Sequence, residues 1–462
     1  MMRYLLVVAV VAASFAGRQA PARRTVSLVV ANGIVITVDG NRRVIPHGSV
    51  AIDGRDIVAV DTAEGIAARF RGRETVDAAG AVIMPGLINT HTHAPMVLFR
   101  GLADDLALMD WLQKYIFPAE AKTLSPEFVR AGTRLAALEM IESGTTTYAD
   151  MYYFEEEIAR VTKAAGLRGV LGETIIQFPV ADAKTPAEAL ARAERFAKEF
   201  AADELITPAV APHSMYTNDA ATLKACRALA DRLHIPVLIH LSETKDEMKT
   251  SDDKYHATPA AFLESLGFWG PRTLAAHAVH VTAADTQILA TRHVGVAHNP
   301  ESNMKLASGI APVEAMRAAG VAVGLGTDGA ASNNDLDMFE AMRQAAFLHK
   351  LVAGDPRAIP AAVALEMATI GGARAMGMDH EIGSLEAGKR ADLIVVSMRS
   401  ARQTPMYDAV SHLVYVTRGD DVRTTIVNGK LLMRERRVLT LDRRQVLADA
   451  ESFAVRVRAA VK

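Results

Sequence analysis

The sequence has little of several features that would place it in a special class of proteins. Its one cysteine, Cys226, can form no intrachain disulfide and excludes a metal cluster built from several cysteines. The 51 Lys and Arg residues nearly balance the 53 Asp and Glu residues, so the chain has no excess positive charge that would indicate binding to nucleic acid. Apolar runs fall short of the ~20 residues that a membrane span needs. What remains for metal or proton chemistry is a set of 14 histidines.

The first 16 residues have the pattern of an export signal. Arg3 supplies a positive charge, residues 4–13 are apolar, and Ser14 and Ala16 place small residues where signal peptidase cuts. We therefore expect a signal peptide at 1–16, a periplasmic or secreted protein, and a mature chain without a stable membrane span. If the start codon is misassigned, the protein would instead be cytoplasmic.

Strand patterns at the two ends of the chain predict one small β-domain that both ends share. Runs of β-branched residues separated by Asn-Gly and Asp-Gly turns occupy 26–60, and similar runs return at 391–433. Neither end can comfortably build a complete β-domain alone. We therefore predict a β-sandwich made from residues 17–84 and 379–462.

The middle of the chain, residues 85–378, alternates short apolar strands with longer helical stretches. The strand candidates lie at 82–89, 145–150, 167–175, 205–210, 235–240, 273–277, 294–298 and 321–327. Eight strand–helix units predict a closed parallel (β/α)8 TIM barrel, an α/β fold, rather than an open sheet. In such barrels the functional side chains lie at the carboxyl ends of the strands.

Four histidines and one aspartate fall at those predicted strand ends. His91 and His93 close the first strand, and because residues two apart point to the same side, both imidazoles can reach one ion. His240, His277 and Asp328 each directly follow an apolar run. Histidines combined with a carboxylate suit a divalent cation such as Zn²⁺, and also Fe²⁺ or Mn²⁺. The sequence thus predicts a metal site at one end of the barrel.

Longer motifs around these residues carry a family resemblance over nearly the whole mature chain. The motifs are PGLINTHTH at 85–93, RGLADD at 100–105, SGTTT at 143–147, APHS at 211–214, HLSET at 240–244, AHAVH at 276–280, HNP at 298–300 and GTDG at 326–329. The sequence resembles the cytosine-deaminase-like branch of the amidohydrolase superfamily. That branch includes the 5'-methylthioadenosine/S-adenosylhomocysteine deaminases and the triazine chlorohydrolases.

The resemblance implies roles for individual residues. The positions that match the metal ligands are His91, His93, His240 and Asp328. Glu243 matches the carboxylate that acts as acid and base, and His277 matches the histidine beside the hydrolytic water. Asp328 would also assist catalysis by accepting a hydrogen bond or proton from that water.

Further positions bear on the substrate and on the number of ions. Glu120 and His213 match residues that contact substrate in adenosine-type deaminases, and Trp111 is a further candidate for substrate contact. Binuclear relatives carry a carboxylated lysine at the end of the fourth strand, where this chain has residues 212–214, Pro-His-Ser. The resemblance therefore implies one divalent metal ion, with zinc expected before iron or manganese.

The reaction that the resemblance implies is hydrolytic deamination of an aminated purine or related N-heterocycle, such as 5'-methylthioadenosine or adenosine. Water activated at the metal would attack the amino-bearing ring carbon, and ammonia would leave. Dechlorination of a heteroaromatic ring is an alternative. Because chloride leaves without a proton, this reaction depends less on an acid/base residue, and Glu243 argues mildly against it. Hydrolysis of a cyclic amide is another, which the missing lysine disfavours, and the intact ligand set argues against an inactive binding protein.

The chain departs from the adenosine-type pattern after the third strand. Those enzymes resemble one another in holding the tail of the substrate with arginines, whereas residues 177–188 contain no arginine and include Phe178, Val180 and Lys184. A carboxylate-bearing tail is therefore not expected, and Glu301 is expected to add negative charge near the mouth of the site. The expected partner is a small heterocyclic substrate and not nucleic acid, and a homo-oligomer remains open.

Overall fold

The computed structural model of the chain describes residues 23–461, so the predicted signal peptide at 1–16 lies outside the described residues. Its strands are β1 (Arg24–Ile36), β2 (Val44–Asp53), β3 (Asp56–Thr62), β4 (Phe70–Asp77), β5 (Val82–Pro85), β6 (Leu87–Thr92), β7 (Thr145–Tyr152), β8 (Arg168–Ile175), β9 (Ile206–Pro212), β10 (Val237–Leu241), β11 (Thr273–His277), β12 (Gly295–His298), β13 (Val323–Leu325), β14 (Leu393–Val396), β15 (Val422–Val427), β16 (Lys430–Arg434) and β17 (Arg437–Val438). They form two sheets, an end sheet of β1–β5 with β14–β17 and a barrel sheet of β6–β13.

Most of the helices connect strands of the barrel, whereas α1 connects β3 to β4 of the end sheet. They are α1 (Ala63–Arg69), α2 (Leu108–Trp111), α3 (Phe117–Thr123), α4 (Pro126–Ser143), α5 (Glu155–Ala165), α6 (Pro186–Glu199), α7 (Ala220–Leu233), α8 (Lys245–Tyr255), α9 (Pro259–Ser265), α10 (Ala283–Thr291), α11 (Pro300–Lys305), α12 (Val313–Ala318), α13 (Met338–Ala353), α14 (Ala361–Met367), α15 (Ile370–Ala375), α16 (Ala409–Tyr415) and α17 (Arg443–Ala460). A π-helical turn, Leu112–Ile116, joins α2 to α3. None of the helices within 23–461 combines the length and the apolar character of a membrane span.

The barrel sheet confirms the predicted (β/α)8 fold. Its eight strands are parallel and follow the order β13-β12-β11-β10-β9-β8-β7-β6. The segment just after the last strand, β13, lies beside the first strand, β6, where the Asp328 amide donates to the His91 carbonyl over 2.9 Å. Asn89 Oδ1 also accepts from the Thr327 amide at 3.0 Å. These contacts bring together two of the three barrel strands whose ends carry predicted metal ligands.

The end sheet confirms that the two ends of the chain share one β-structure. β14, from the C-terminal part, lies between β5 and β15 and pairs antiparallel with both. Leu28 and Val50 from the N-terminal strands share a buried core with Leu393, Val395 and Ile426. Each end therefore supplies apolar surface that only the other end covers.

The prediction of one barrel strand at 82–89 is wrong, because two strands of different sheets occupy this segment. Val82–Pro85 belongs to the end sheet, while Leu87–Thr92 begins the barrel sheet beside β7. The chain changes sheets at Gly86, where an added Cβ would come within 2.1 Å of the Thr146 side chain. Because the apolar pattern runs through both strands without a break, periodicity alone could not show the change.

The C-terminal segment contributes more than strands. Helix α17 packs on the outside of the barrel, where the Phe453 ring lies 5.6 Å from the Phe128 ring of α4. The Lys122 ammonium, at the end of α3, donates to the Ala460 carbonyl over 2.6 Å. The C-terminal helix thus covers α3 and α4, which follow the strand that carries His91.

A chain that ends at Asp379 should be insoluble. It would lack β14–β17 and so leave the buried faces of β1 and β5 exposed, and large exposed apolar patches drive association. The soluble fraction after expression measures the effect. A chain ending at Leu441, which keeps all the strands and lacks only α17, is the control. A soluble, active protein ending at Asp379 would contradict the shared end sheet.

Candidate active site

The predicted metal ligands converge at the carboxyl end of the barrel. The His91 ring centroid lies 4.9 Å from that of His93, 5.0 Å from that of His240 and 5.4 Å from that of His277. Asp328 Oδ1 lies 3.4 Å from His91 Nε2 and 3.3 Å from His93 Nε2. Residues from the first, fifth, sixth and eighth strands of the barrel therefore form one cluster.

Backbone carbonyls orient two of the imidazoles. His93 Nδ1 lies 2.6 Å from the Met151 carbonyl, and His240 Nδ1 lies 2.8 Å from the His213 carbonyl. Because a carbonyl oxygen only accepts, each Nδ1 carries the proton and each Nε2 is left with its lone pair. This is the arrangement that histidine ligands of metal ions adopt.

The Asp328 carboxylate is held by hydroxyl groups that sequence reasoning missed. Asp328 Oδ2 accepts from Ser302 Oγ at 2.7 Å and from Ser332 Oγ at 2.8 Å. Asp328 Oδ1 accepts from the Gly329 amide at 2.7 Å. Serine is common in loops, so neither position carried a signal, although Ser302 lies just after the HNP motif.

The cluster fits a divalent cation. Among the described residues His91 Nε2 is buried and has no hydrogen-bond partner, an arrangement that is costly unless something else binds the nitrogen. Burial lowers the pKa of His91 to about 4, so its imidazole is neutral at ordinary pH. Neutral imidazoles from His91, His93 and His240 with the Asp328 carboxylate are a ligand set that Zn²⁺ accepts.

Glu243 lies beside this cluster and faces His277. Its Oε2 is 3.9 Å from His277 Nε2, and both residues are buried. Burial raises the pKa of the Glu243 carboxyl above its ordinary value, which suits a group that must both accept and release a proton. The predicted acid/base residue is therefore placed where it can reach a molecule bound at the cluster.

The turn that carries Glu243 is held by a second carboxylate, Glu247. Its two oxygens accept from the Ser242 amide at 3.0 Å and from the Glu243 amide at 2.8 Å. Thr244 caps helix α8 by accepting from the Glu247 amide. The Thr-x-x-Glu spacing of a capping box was the signal in the sequence that could have pointed to Glu247.

A cavity next to the cluster brings the predicted substrate contacts together. Glu120, His213 and Trp111 line it with Glu243 and His277, and it encloses about 620 Å³ of atom-free space, part of it open to solvent. Tyr152, which was not predicted, donates its hydroxyl to Glu120 Oε1 over 2.6 Å. Burial raises the pKa of Glu120 to about 7.

The far wall of this cavity is apolar. It is formed by Leu108, Trp111, Leu112, Ile116 and Phe117, from α2, the π-helical turn and the start of α3. None of the described lining residues is a lysine. Glu301, expected near the mouth, is not among the lining residues. The cavity therefore combines an apolar wall with the polar groups of the His/Asp cluster and Glu243.

The Amidohydrolase family model matches residues 82–432. The chain belongs to the amidohydrolase family. The sequence is 49% identical over 427 residues, 92% of this chain and 97% of the relative, to a 5-methylthioadenosine/S-adenosylhomocysteine deaminase of Syntrophobacter fumaroxidans. It is 45% identical over 429 residues, 92% of this chain and 97% of the relative, to a 5'-deoxyadenosine deaminase of Methanosarcina acetivorans.

Among solved structures, the fold of this amidohydrolase resembles an adenosine deaminase from Xanthomonas campestris with bound zinc. The TM-score is 0.93 and the identity is 41%, over 95% of this chain and all of that one. The family resemblance drawn from the motifs is thereby confirmed, as is a hydrolase of the kind that acts on carbon–nitrogen bonds.

Proposed function

We propose that this amidohydrolase hydrolyses the amino group from an aminated purine nucleoside, similar to 5'-methylthioadenosine or adenosine, and releases ammonia. The observation that carries the proposal is the buried Glu243 carboxyl, which faces His277 and lines one cavity together with the His/Asp cluster and an apolar wall. The deaminase relatives support the same reaction class.

We propose a single Zn²⁺ as the cofactor, with Fe²⁺ or Mn²⁺ as alternatives. It would be held by His91, His93, His240 and Asp328. Bound there, a divalent cation activates water for attack at neutral pH and stabilises developing negative charge. The zinc in the Xanthomonas campestris relative supports this choice of ion.

The side chains of the site supply the proton transfers. Glu243 takes one proton from the attacking water as the carbon–oxygen bond forms at the amino-bearing carbon, and delivers it to the adjacent ring nitrogen. His277, which faces Glu243, orients the water. Asp328 accepts the remaining proton of the added water. Asp328 then passes this proton to the amino group. The carbon–nitrogen bond can now break, so that ammonia leaves and a ring carbonyl remains.

Ammonia release from a panel of compounds tests the function. The zinc-loaded protein should release ammonia from adenosine, 5'-deoxyadenosine or 5'-methylthioadenosine faster than from cytosine or an amino-substituted pterin. A chlorotriazine and a cyclic amide complete the panel and represent the dehalogenase and amide-hydrolase alternatives. Chloride release without any ammonia release from the nucleosides would show that the enzyme is a dehalogenase instead.

We further propose that the enzyme is exported and that its mature form begins near Gly17. The proposal is supported by the apolar run that is followed by the small residues Ser14 and Ala16. N-terminal sequencing of the protein from the cell that produces it should find the new terminus close to Gly17. Soluble cytosolic protein that retains Met1 would refute export.

A further inference from the structure

Helix α11 follows the seventh strand of the barrel, and two neighbouring side chains of this helix contact groups of the active site. Ser302 donates to Asp328 Oδ2, and Asn303 contacts the imidazole of His277. Asp328 and His277 lie at the ends of different strands, and both are proposed to act on the attacking water. One short helix therefore contacts two of the residues that carry the reaction.

The contact between Asn303 and His277 places a proton on one particular nitrogen. Asn303 Oδ1 lies 2.9 Å from His277 Nδ1, and both side chains are buried. Because an amide oxygen only accepts, Nδ1 carries a proton whether the ring is neutral or charged. The nitrogen that gains or loses a proton is therefore Nε2, which lies 3.9 Å from Glu243 Oε2.

A second amide, that of Asn299, would stabilise the other tautomer of His277. Its Nδ2 lies 3.3 Å from the same His277 Nδ1, and an amide N–H bonds only to a nitrogen whose lone pair is free. The shorter contact, to Asn303 Oδ1, favours the proton on Nδ1. If the Asn303 oxygen were removed, Asn299 Nδ2 would be the hydrogen-bond partner left for Nδ1 among the described residues, and the proton would move to Nε2.

The position of this proton decides how His277 acts on water. With a lone pair on Nε2, the neutral ring accepts one O–H of the water and leaves the other O–H for Glu243. With a proton on Nε2, the ring would instead donate to the water oxygen. That hydrogen bond would occupy oxygen electrons that must form the new bond to the ring carbon.

We propose that Asn303 is a positioning residue, which fixes the proton of His277 on Nδ1 so that Nε2 orients the attacking water. The proposal rests on the proposed deaminase function and adds a residue on which that function depends. Asn303 is not among the described residues that line the cavity beside the His/Asp cluster, so it acts through His277 and not on the substrate.

Two substitutions at position 303 test this role by turnover. Asn303→Leu keeps most of the side-chain volume and removes the acceptor. It should lower kcat for ammonia release from adenosine about 10–100-fold, the usual cost of losing a partner that orients a residue at a metal site. KM should change much less, because Asn303 does not contact the substrate. Asn303→Asp keeps an oxygen that accepts from Nδ1 and should retain most of the turnover.

The order of the two variants separates positioning from packing. If Asn303 only filled space, leucine would be tolerated at least as well as aspartate, and that result would overturn the proposal. Zinc content is measured on the same samples, so that loss of the ion is not mistaken for loss of orientation. Asn41→Leu is the control for the substitution, because Asn41 is exposed in the turn between β1 and β2.

The ring nitrogens of His277 report the position of the proton without turnover. In zinc-loaded protein with isotope-labelled histidine, the NMR signals that are missing from His277→Asn identify this ring. At a pH where the ring is neutral, the proton should be on Nδ1 in the wild type and in Asn303→Asp, and on Nε2 in Asn303→Leu. A wild-type proton on Nε2 would overturn the proposal, whether or not the variants fold.

The role of Asn303 and the deaminase function can fail separately. If the wild type deaminates adenosine and Asn303→Leu changes neither kcat nor the proton position, the role of Asn303 is refuted and the deaminase function stands. If the wild type deaminates no adenine nucleoside, the function fails. The NMR comparison then still decides whether Asn303 fixes the tautomer of His277.

Discussion

Glutamine in place of Glu243 should lower kcat by about 10²–10⁴-fold while the metal content stays unchanged. The amide has nearly the shape of the carboxyl, but it cannot take the proton of the water or deliver one to the ring nitrogen. Glu243 is not among the residues whose atoms form the His/Asp cluster, so the ion should remain bound. KM should change much less than kcat, because the lost interaction is made chiefly in the transition state.

Steady-state ammonia release, with metal analysis of the same samples, measures this effect. The control is Glu314→Gln, the same substitution at an exposed position on α12. Near-normal turnover by the metal-loaded Glu243→Gln protein would remove Glu243 from the mechanism. It would also favour a reaction whose leaving group needs no proton, such as dechlorination.

Alanine in place of His91 should remove both the metal and the activity. His91 belongs to both groups of side chains in the described part of the chain that could hold a metal ion, one with His93 and His240 and the other with His277 and Asp328. A bound cation supplies several kcal/mol of transition-state stabilisation, so kcat should fall by at least about 10³-fold. Bound zinc per protein should fall with it.

Metal analysis after dialysis, together with ammonia release, checks this outcome. His47→Ala is the matched control, because His47 is an exposed residue of β2 in the end sheet. His91→Ala protein that keeps one tightly bound ion and near-normal turnover would show that the His/Asp cluster is not the catalytic metal site.

The parts of the site that the sequence predicts are those with a local pattern. His91 and His93 stand two apart at the end of a strand, and Asp328 follows an apolar run, so strand geometry alone places them at one end of a barrel. These side chains can meet at one point only if the sheet closes into a barrel. The count of eight strand–helix units in the sequence predicts that closure. The β-structure shared by both ends was predictable for a similar reason, since neither end has enough strands.

What could not be predicted depends on contacts between distant segments. The hydroxyl of Ser302 becomes a partner of Asp328 only because α11 begins beside the last strand of the barrel. His298 and His349 come from distant segments and lie with their Nε2 atoms 3.1 Å apart in the interior.

The place of β14 in the end sheet has a consequence for the order of folding. Ile83 pairs with Val395, so β5 gains this neighbour only after the whole barrel has left the ribosome. At ~5–20 residues per second, that delay is on the order of tens of seconds. During this delay the apolar side chains of β1 and β5 lack their native partner, β14. Another contact must cover them if they are not to associate with other unfolded chains. Gly86 joins β5 directly to the strand that carries His91, and its amide donates to the Asp392 carbonyl over 3.0 Å, so the late C-terminal segment also holds the start of that strand.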